Sequence, residues 1–314
     1  MNRWAVYTYT LPLKRPILAR GANRFQRKGL LIFRRTNEGV RIGEAAPIEG
    51  FHAYTLAHVR EELIAFCSLS KPSNRNDLSS LARFALEMTE QNPSPAIPIS
   101  VNGLLSPTTP IDPSFSCYKI KVGRASLAEE IKFLLNLSLP KHATIRLDAN
   151  RAWSVSEALA FWKGIDLLHP KIEYIEEPLR DPTQFSTLPF PIAVDESLPQ
   201  LQEHIWDIPT LRAIILKPTL QGGICESKKW MQKASERNIS AVVSSTFESS
   251  IGIHALCNLA AAQPKTTHGL GTASWFAADL IAHRALPHNG FLRSGSDVQA
   301  SDIDTEFLQL DAQG

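Results

Sequence analysis

Tyr-Lys-Ile-Lys-Val at 118–122, Arg-Leu-Asp-Ala-Asn at 146–150, Ile-Glu-Glu-Pro at 175–178, Val-Asp-Glu-Ser at 194–197 and Leu-Lys-Pro at 216–218 share one form. Each is a short apolar strand that ends in charge. The charged ends follow one another at 27 residues from Lys121 to Asp148, 28 to Glu176, 19 to Asp195 and 22 to Lys217. One strand, one helix and two turns fill about that length, so the charges fall at the same end of successive parallel strands. Gathering three carboxylates and several lysines at one end of a sheet adds nothing to stability, so this ladder is where function is expected.

The alternation extends on both sides of the ladder. Candidate strands are 98–102, 117–122, 143–148, 172–176, 191–195, 212–217, 240–244 and 266–270, with helical stretches at 126–138, 154–168, 222–237 and 250–262. Eight strands with crossovers of this size favour a closed parallel α/β barrel over an open doubly wound sheet. No G-x-G-x-x-G or Walker-type loop is present, which argues against a dinucleotide fold or a P-loop. Upstream the pattern differs. Residues 3–10, 29–35 and 40–45 read as strands of a small antiparallel sheet, with a polar loop at 19–28. A helix follows at 53–69, and a second runs through Leu81, Phe84, Ala85 and Met88 with Asp77 as its N-cap. The proline-rich Asn92-Pro-Ser-Pro-Ala-Ile-Pro segment marks a boundary. The expected organisation is an α+β domain over 1–95, a barrel over 96–290, and a tail from about 291 to 314 that packs back on the first domain.

The chain has 314 residues, 44% of them apolar and 20% charged, enough for a barrel-sized core and a smaller domain. A formal net charge of +2 gives no reason to expect nucleic acid or an acidic membrane as partner. The basic residues Lys14, Arg15, Arg20, Arg24, Arg27 and Lys28 form either a solvated face or a contact with an anionic ligand. Cys67, Cys117, Cys225 and Cys257 are scattered, which fits free thiols better than a zinc site or a disulfide framework. The N-terminus carries Arg3, Lys14 and Arg15 without a long apolar run, and no segment approaches ~20 apolar residues. A cytoplasmic protein without a membrane span is expected; the oligomeric state is left open.

Asp148, Glu176 and Asp195 end successive strands with no Cys or His between them. Three converging carboxylates make a hard oxygen site, suited to Mg²⁺ or Mn²⁺ rather than zinc. Each taken alone is as well explained by a helix cap or a lysine pair. Lys119 and Lys121, two apart, point to one side of their strand, and Lys217 ends a strand beyond the carboxylates. Repulsion among the lysines is expected to lower their pKa values and bring a neutral amine within reach near pH 7. A metal holding a substrate carboxylate between candidate proton-transfer lysines suits abstraction of a proton α to that carboxylate.

At these residues the chain resembles the enolase superfamily, within its muconate-lactonizing branch, which carries a lysine on each barrel flank. The resemblance covers nearly the whole chain and implies a (β/α)₇β TIM-like barrel with an N-terminal α+β capping domain. It implies Asp148, Glu176 and Asp195 as metal ligands, Lys121 as the acid/base and Lys217 as the opposing lysine. Within that branch, Arg-Leu-Asp-Ala-Asn-Arg-Ala-Trp at 146–153, Leu-Lys-Pro-Thr-Leu-Gln-Gly-Gly at 216–223 and Ser-Ser-Thr-Phe-Glu-Ser-Ser-Ile-Gly at 244–252 resemble the o-succinylbenzoate synthase family. This implies a Mg²⁺-dependent dehydration of a small-molecule carboxylate to an aromatic product in menaquinone biosynthesis, with Lys121 taking the α proton. An N-succinylamino acid racemase or dipeptide epimerase on the same scaffold is the alternative. A dipeptide epimerase is expected to carry Asp-x-Asp after the last strand, where this chain has Gly-Leu-Gly-Thr-Ala. A non-catalytic barrel would not be expected to keep every one of these residues.

Further candidates for substrate contact carry two readings each. Lys119 lowers the pKa of Lys121 or helps hold the substrate carboxylate. Arg146 shares the Asp148 face and reaches the site or pairs with a neighbouring carboxylate. Asn150 orients a ligand or caps a helix. Ser244 and Ser245 bond the succinyl tail or cap the next helix. Gly269 and Gly271 admit the ligand's approach or make a tight turn. The 19–28 loop is the expected lid, and the histidines, His268 included, are structural or on the surface.

Overall fold

The computed structural model describes residues 4–19, 21–68, 74–92, 95–295 and 298–313. Arg3, Arg20, Leu69 and the Pro93–Ser94 part of the proline-rich boundary lie outside them. Trp4–Ala19 (β1), Ala22–Thr36 (β2) and Gly39–Ala45 (β3) form an antiparallel sheet, followed by helices Leu56–Ser68 (α1) and Ser80–Met88 (α2). Val59, Leu63 and Phe66 of α1 and Leu81, Ala85 and Leu86 of α2 lie in one apolar cluster with Val6, Leu30 and Ile32 of the sheet. The helical periodicity seen in the sequence is thus the stripe that covers one sheet face.

Two details differ from the sequence expectation. Residues 19–28 are not a loop: β1 and β2 stay paired out to Ala19↔Ala22, and Gly21 takes the left-handed turn. Arg24, Gln26 and Lys28 gave no apolar alternation, because pairing there is carried by backbone groups that any side chain permits. The second helix is capped by Ser79, whose Oγ accepts from Ala82 N, while Asp77 lies in a single 3₁₀ turn before it. Ser79 is held in place by Glu62, which accepts from its N–H and hydroxyl.

The second part alternates strand and helix. Pro98–Ser100 (β4) and Gly103–Leu105 (β5) come first. Cys117–Lys121 (β6), Leu127–Leu135 (α3), Thr144–Asp148 (β7) and Val155–Gly164 (α4) follow. Ile172–Glu176 (β8), Ile192–Val194 (β9), the short Leu198–Leu201 (α5) and Leu211–Leu216 (β10) come next. Gly223–Ser235 (α6), Ser240–Val243 (β11) and Ser250–Ala260 (α7) complete the alternation. Seven strands pair in parallel in the order β11-β10-β9-β8-β7-β6-β5. The expected strand at 266–270 contributes only single bridges, His268 to Val101 and Gly269 to Ser244, yet these close the sheet into a barrel. His268 N donates to Ser100 O, and Gly269 N to Val243 O. The expected strand 98–102 is divided: β4 pairs outside the barrel with Phe291–Arg293 (β12), and the barrel rung starts at Val101. Pro98, which has no N–H to donate, stands at the first residue of its two-stranded ribbon.

The chain ends with Leu308–Gln313 (β13), which pairs with β1 from Tyr9↔Leu308 to Ala5↔Gln313. Glu44 and Glu87, from the first 95 residues, also reach the barrel. Buried Glu44 accepts from Ser249 N, Ser249 Oγ and Gly252 N at the start of α7, and Glu87 accepts from Ile224 N and Cys225 N at the start of α6. Each carboxylate satisfies unpaired N–H groups and sits at the positive end of a helix. Arg27, also buried, donates to the carbonyls of Lys28, Ala46, Pro47, Thr246 and Phe247, and so ties the hairpin to the loop after β11.

Sheet and helix approach most closely at Gly43 in β3. A Cβ there would lie 1.8 Å from the carbonyl oxygen of Ala85 in α2, a backbone atom that cannot turn aside. Gly43→Ala is expected to lower unfolding free energy by about 3 kcal/mol, the upper end of overpacking effects. Urea or thermal unfolding measures it, and a loss under 1 kcal/mol would mean the helix shifts freely.

Candidate active site

The ladder of strands sets the site. Lys121 of β6 stands opposite Asp148 of β7, and Asp148 opposite Glu176 of β8, so the three share one level at the carboxyl end of the barrel. Lys119 is one layer deeper, opposite Arg146. Ile120 takes the other face of β6 and is buried. Asp195 and Lys217 follow β9 and β10 directly. This is the end of a parallel barrel where loops after the strands build a pocket.

The side chains meet as follows. Lys119 Nζ donates to both carboxylate oxygens of Glu176, at 2.8 and 2.7 Å, and lies 3.0 Å from Asp148 Oδ2. Lys217 Nζ donates to Asp195 and lies 5.4 Å from the centroid of the Phe51 ring, which the first domain supplies. Lys121 Nζ is 3.8 Å from Asp148 Oδ2 and donates to Asn150 Oδ1 at 3.0 Å. Asn150, with φ of +45°, in turn donates to Glu196 at 3.2 Å. The two flanking lysines differ in access: the Lys121 side chain is 47% exposed and that of Lys217 only 9%.

These surroundings separate the lysines electrostatically, and only one follows the expected lowering. For Lys121, burial and then the neighbouring charges of Lys119 and Arg124 win over the pull of Asp148, so its pKa falls below the usual lysine range. For Lys119, burial is outweighed by Asp148, Glu176 and Asp195, and its ammonium is held well above that range. Lys217 is likewise raised: burial opposes, but Asp195, Glu196 and Glu176 prevail. Repulsion among lysines therefore decides nothing for Lys119 and Lys217, because each touches a carboxylate at bonding distance and its fellow cations only from farther off. Glu176 is pushed up to about 8 by burial first and by the charge of Asp148 next. Two ammonium groups cannot balance three buried carboxylates with Glu196 at their edge.

That imbalance bears on a metal. Among the described residues no three His, Cys, Asp or Glu side chains stand together as a ligand group, since lysines occupy the carboxylate oxygens. The donor set itself fits a hard divalent cation: three buried carboxylates on neighbouring strands, with surplus negative charge and no soft ligand.

Of the remaining candidates, Arg146 is not brought to the site. It lies deeper in the barrel, where Nε donates to Glu173 at 2.6 Å and a terminal nitrogen to Thr267 O at 2.7 Å. The ion pair wins because Glu173 is within reach of a buried guanidinium that cannot be left unpaired. Ser245 Oγ is bonded to Thr272 Oγ1, and Ser244 sits beside Gly269. Neither serine caps α7; Ser249 does. Gly269 is required by packing, since a Cβ there would lie 2.9 Å from Ser244 Oγ. Gly271 shows no such need: its nearest neighbours would be ordinary contacts. Sequence reading passed over Glu177, Glu196 and Phe51. The doubled acid in Ile-Glu-Glu-Pro and Val-Asp-Glu-Ser was the available signal for the first two. Phe51 had none, because it arrives from a distant segment.

Two family models match the chain: "Enolase C-terminal domain-like" over residues 111–297 and "MenC, N-terminal domain" over residues 1–92. An o-succinylbenzoate synthase of Yersinia pseudotuberculosis is 30% identical over 307 residues, covering 90% of this chain and 93% of that protein. The chain belongs to the o-succinylbenzoate synthase family of the enolase superfamily. Members of this family are lyases, and so is this enzyme. Solved structures agree on the fold. The L-Ala-D/L-Glu epimerase of Bacillus subtilis matches with a TM-score of 0.79 at 17% identity, over 96% of this chain and 98% of that one. The o-succinylbenzoate synthase of Thermosynechococcus elongatus, complexed with Mg in its active site, matches at 0.68 and 23%, over 88% and 95%. The expected capping sheet and TIM-like barrel are the fold of this family. Among the described residues no helix is long and apolar enough to cross a membrane.

Two histidines near this framework are held neutral. His52 Nδ1 accepts from Ile48 N and His268 Nδ1 from Val243 N, bonds that a protonated ring cannot accept. Burial, aided by Arg27, takes His52 down to about 3; burial, aided by Arg146, takes His268 down to about 4. An unfolded chain binds these protons from about pH 6.5 downward, and the folded chain does not. Stability contributed by the neutral rings is therefore complete above pH 6.5 and is lost on acidification toward pH 4. Each ring adds a slope of at most about 1.4 kcal/mol per pH unit. Urea midpoints between pH 4 and 7 should show a flatter acid limb for His52→Gln than for the unaltered chain; identical limbs would remove His52 from this account.

Proposed function

We propose that this enzyme dehydrates 2-succinyl-6-hydroxy-2,4-cyclohexadiene-1-carboxylate to 2-succinylbenzoate, the step its family performs in menaquinone biosynthesis. The observation that carries the mechanism is the asymmetry of the flanking lysines: Lys121 open to the mouth, Lys217 sealed against Asp195. A base must accept a proton and give it up, which suits the accessible amine of lowered pKa. An electrostatic partner must stay charged, which suits the buried ammonium.

In this reading Asp148, Glu176 and Asp195 would hold a divalent cation, Mg²⁺ with Mn²⁺ as the other candidate, which binds the substrate carboxylate and stabilises enediolate charge. Lysine or histidine bases beside Mg²⁺ are the known pattern of the enolase superfamily, so the roles follow membership as well as geometry. Lys121 Nζ takes the proton α to the carboxylate, and Lys217 stabilises the charge that moves onto the carboxylate oxygens. The C–O bond to the ring hydroxyl then breaks, and Lys121 returns its proton to the departing hydroxide. One water is released and the ring becomes aromatic, which supplies much of the driving force. Lys119 helps hold the carboxylate and Asn150 orients Lys121, while Ser244, Ser245 and the backbone at Gly269 line the place of the succinyl tail. Residues 1–95 with the tail from about 291 act as a capping domain over a barrel of 96–290. The 19–28 hairpin and Phe51 lie on its substrate side.

A racemase or epimerase acting on N-succinylamino acids or dipeptides remains the second reading, since the epimerase of Bacillus subtilis shares the scaffold. The test is conversion of the cyclohexadiene substrate followed by ultraviolet absorbance, with and without EDTA. Turnover that EDTA abolishes and Mg²⁺ restores is expected; an unchanged substrate in both arms would reject the assignment. Lys121→Ala should cost about 10³-fold in kcat, within the range for a lost general base. Lys217→Arg should keep exchange of the α proton while abolishing any racemisation.

A further inference from the structure

Glu177 lies directly beside Glu176 but faces away from its partners. It is fully buried and has φ of +45°, a left-handed backbone that a glutamate rarely adopts, just before Pro178. Nothing local selects Glu there. Its carboxylate explains it: Oε1 accepts from Asp195 N and Ser197 N, both at 2.8 Å, and Oε2 accepts from Ser197 Oγ at 2.6 Å and Arg151 Nε at 3.1 Å. Arg151, itself left-handed at φ +62°, donates a second time to Ser197 Oγ and its N–H to Glu177 O.

The circuit joins three consecutive loops, 148–151, 176–177 and 195–197. Each of these loops begins with one of the three buried carboxylates. The backbone N–H of Asp195 is bonded directly to Glu177, and Asp148 is three residues from Arg151. β9 is only three residues long and pairs with β8 at two positions, so the ladder alone fixes Asp195 weakly. We propose that Glu177 is the positioning residue that sets the separation of Asp148, Glu176 and Asp195, and through it how tightly the site holds a divalent cation. This rests on the proposed function and adds a residue that touches neither substrate nor metal. Groups that orient metal ligands typically alter affinity 10–100-fold when removed.

The experiment is titration calorimetry of Mg²⁺ into the unaltered enzyme, Glu177→Ala and Glu177→Gln, each checked for folding by circular dichroism, with dehydration measured against Mg²⁺ concentration. Glu177→Ala should bind Mg²⁺ at least ~10-fold more weakly, and its activity should rise again at high Mg²⁺. Glu177→Gln keeps an acceptor for Asp195 N and Ser197 N and loses the Arg151 pair, so it should fall between. A purely structural role would lower the melting temperature and leave the Mg²⁺ affinity of the folded enzyme unchanged. If Glu177→Ala fails to fold, Glu177→Gln decides alone. Unaltered affinity in the folded variants, beside an unaltered enzyme that binds Mg²⁺ and turns over, would overturn this proposal only. An unaltered enzyme that neither binds Mg²⁺ nor turns over would overturn the proposed function as well.

Discussion

Three carboxylates buried at one end of a parallel sheet repel one another, and the site is arranged around that repulsion. Lys119 answers it for Asp148 and Glu176, Lys217 for Asp195, and a negative excess still remains, visible in the Glu176 carboxyl held near 8. Burying like charges without partners costs several kcal/mol per ion, so a chain selected for stability alone would not place them together. The same charges give the lysines opposite characters. Those in contact with carboxylates keep their protons, and Lys121, set slightly apart, is the one inclined to release its own.

The framework that bears this strain spans both parts of the chain. Glu44 and Glu87 satisfy the first turns of two barrel helices, Arg27 gathers carbonyls from both sides, and Phe51 lies over Lys217. Two glycines make room for those carboxylates. A Cβ at Gly223 would lie 2.4 Å from Glu87 Oε2, and one at Gly252 would lie 2.7 Å from Glu44 Oε2. The active site is therefore finished by side chains more than 160 residues away in sequence.

What could be read from the residues alone follows from how local each decision is. β8 was read to the residue, and the other ladder strands to within one or two, because a short apolar run ending in charge is decided within five positions. The meeting of Lys119, Lys121, Asp148, Glu176, Asp195 and Lys217 followed from step length, since parallel strands repeat their direction. Contacts between remote segments were out of reach. Arg146 and Asp148 share a face, and only the position of Glu173 and Thr267 directs the guanidinium downward. The 19–28 hairpin is polar and pairs through its backbone, so its sequence resembles a loop. The last barrel strand reduces to two bridges because β11 and Val101 already supply most of its walls. Glu177 was hidden behind a neighbour with a plainer task.

The capping of α6 and α7 by Glu87 and Glu44 limits how this enzyme can be recombined. A barrel of this kind is often regarded as a module that could be fitted with another cap to change its substrate. Here a foreign cap would have to deliver a carboxylate to Gly252 and another to Gly223, at positions set by one strand end and one helix. Otherwise two helices beneath the mouth would begin on bare N–H groups. Grafts that respect only the outline of the substrate pocket would loosen the barrel itself, so cap and barrel are bound to diversify as a pair.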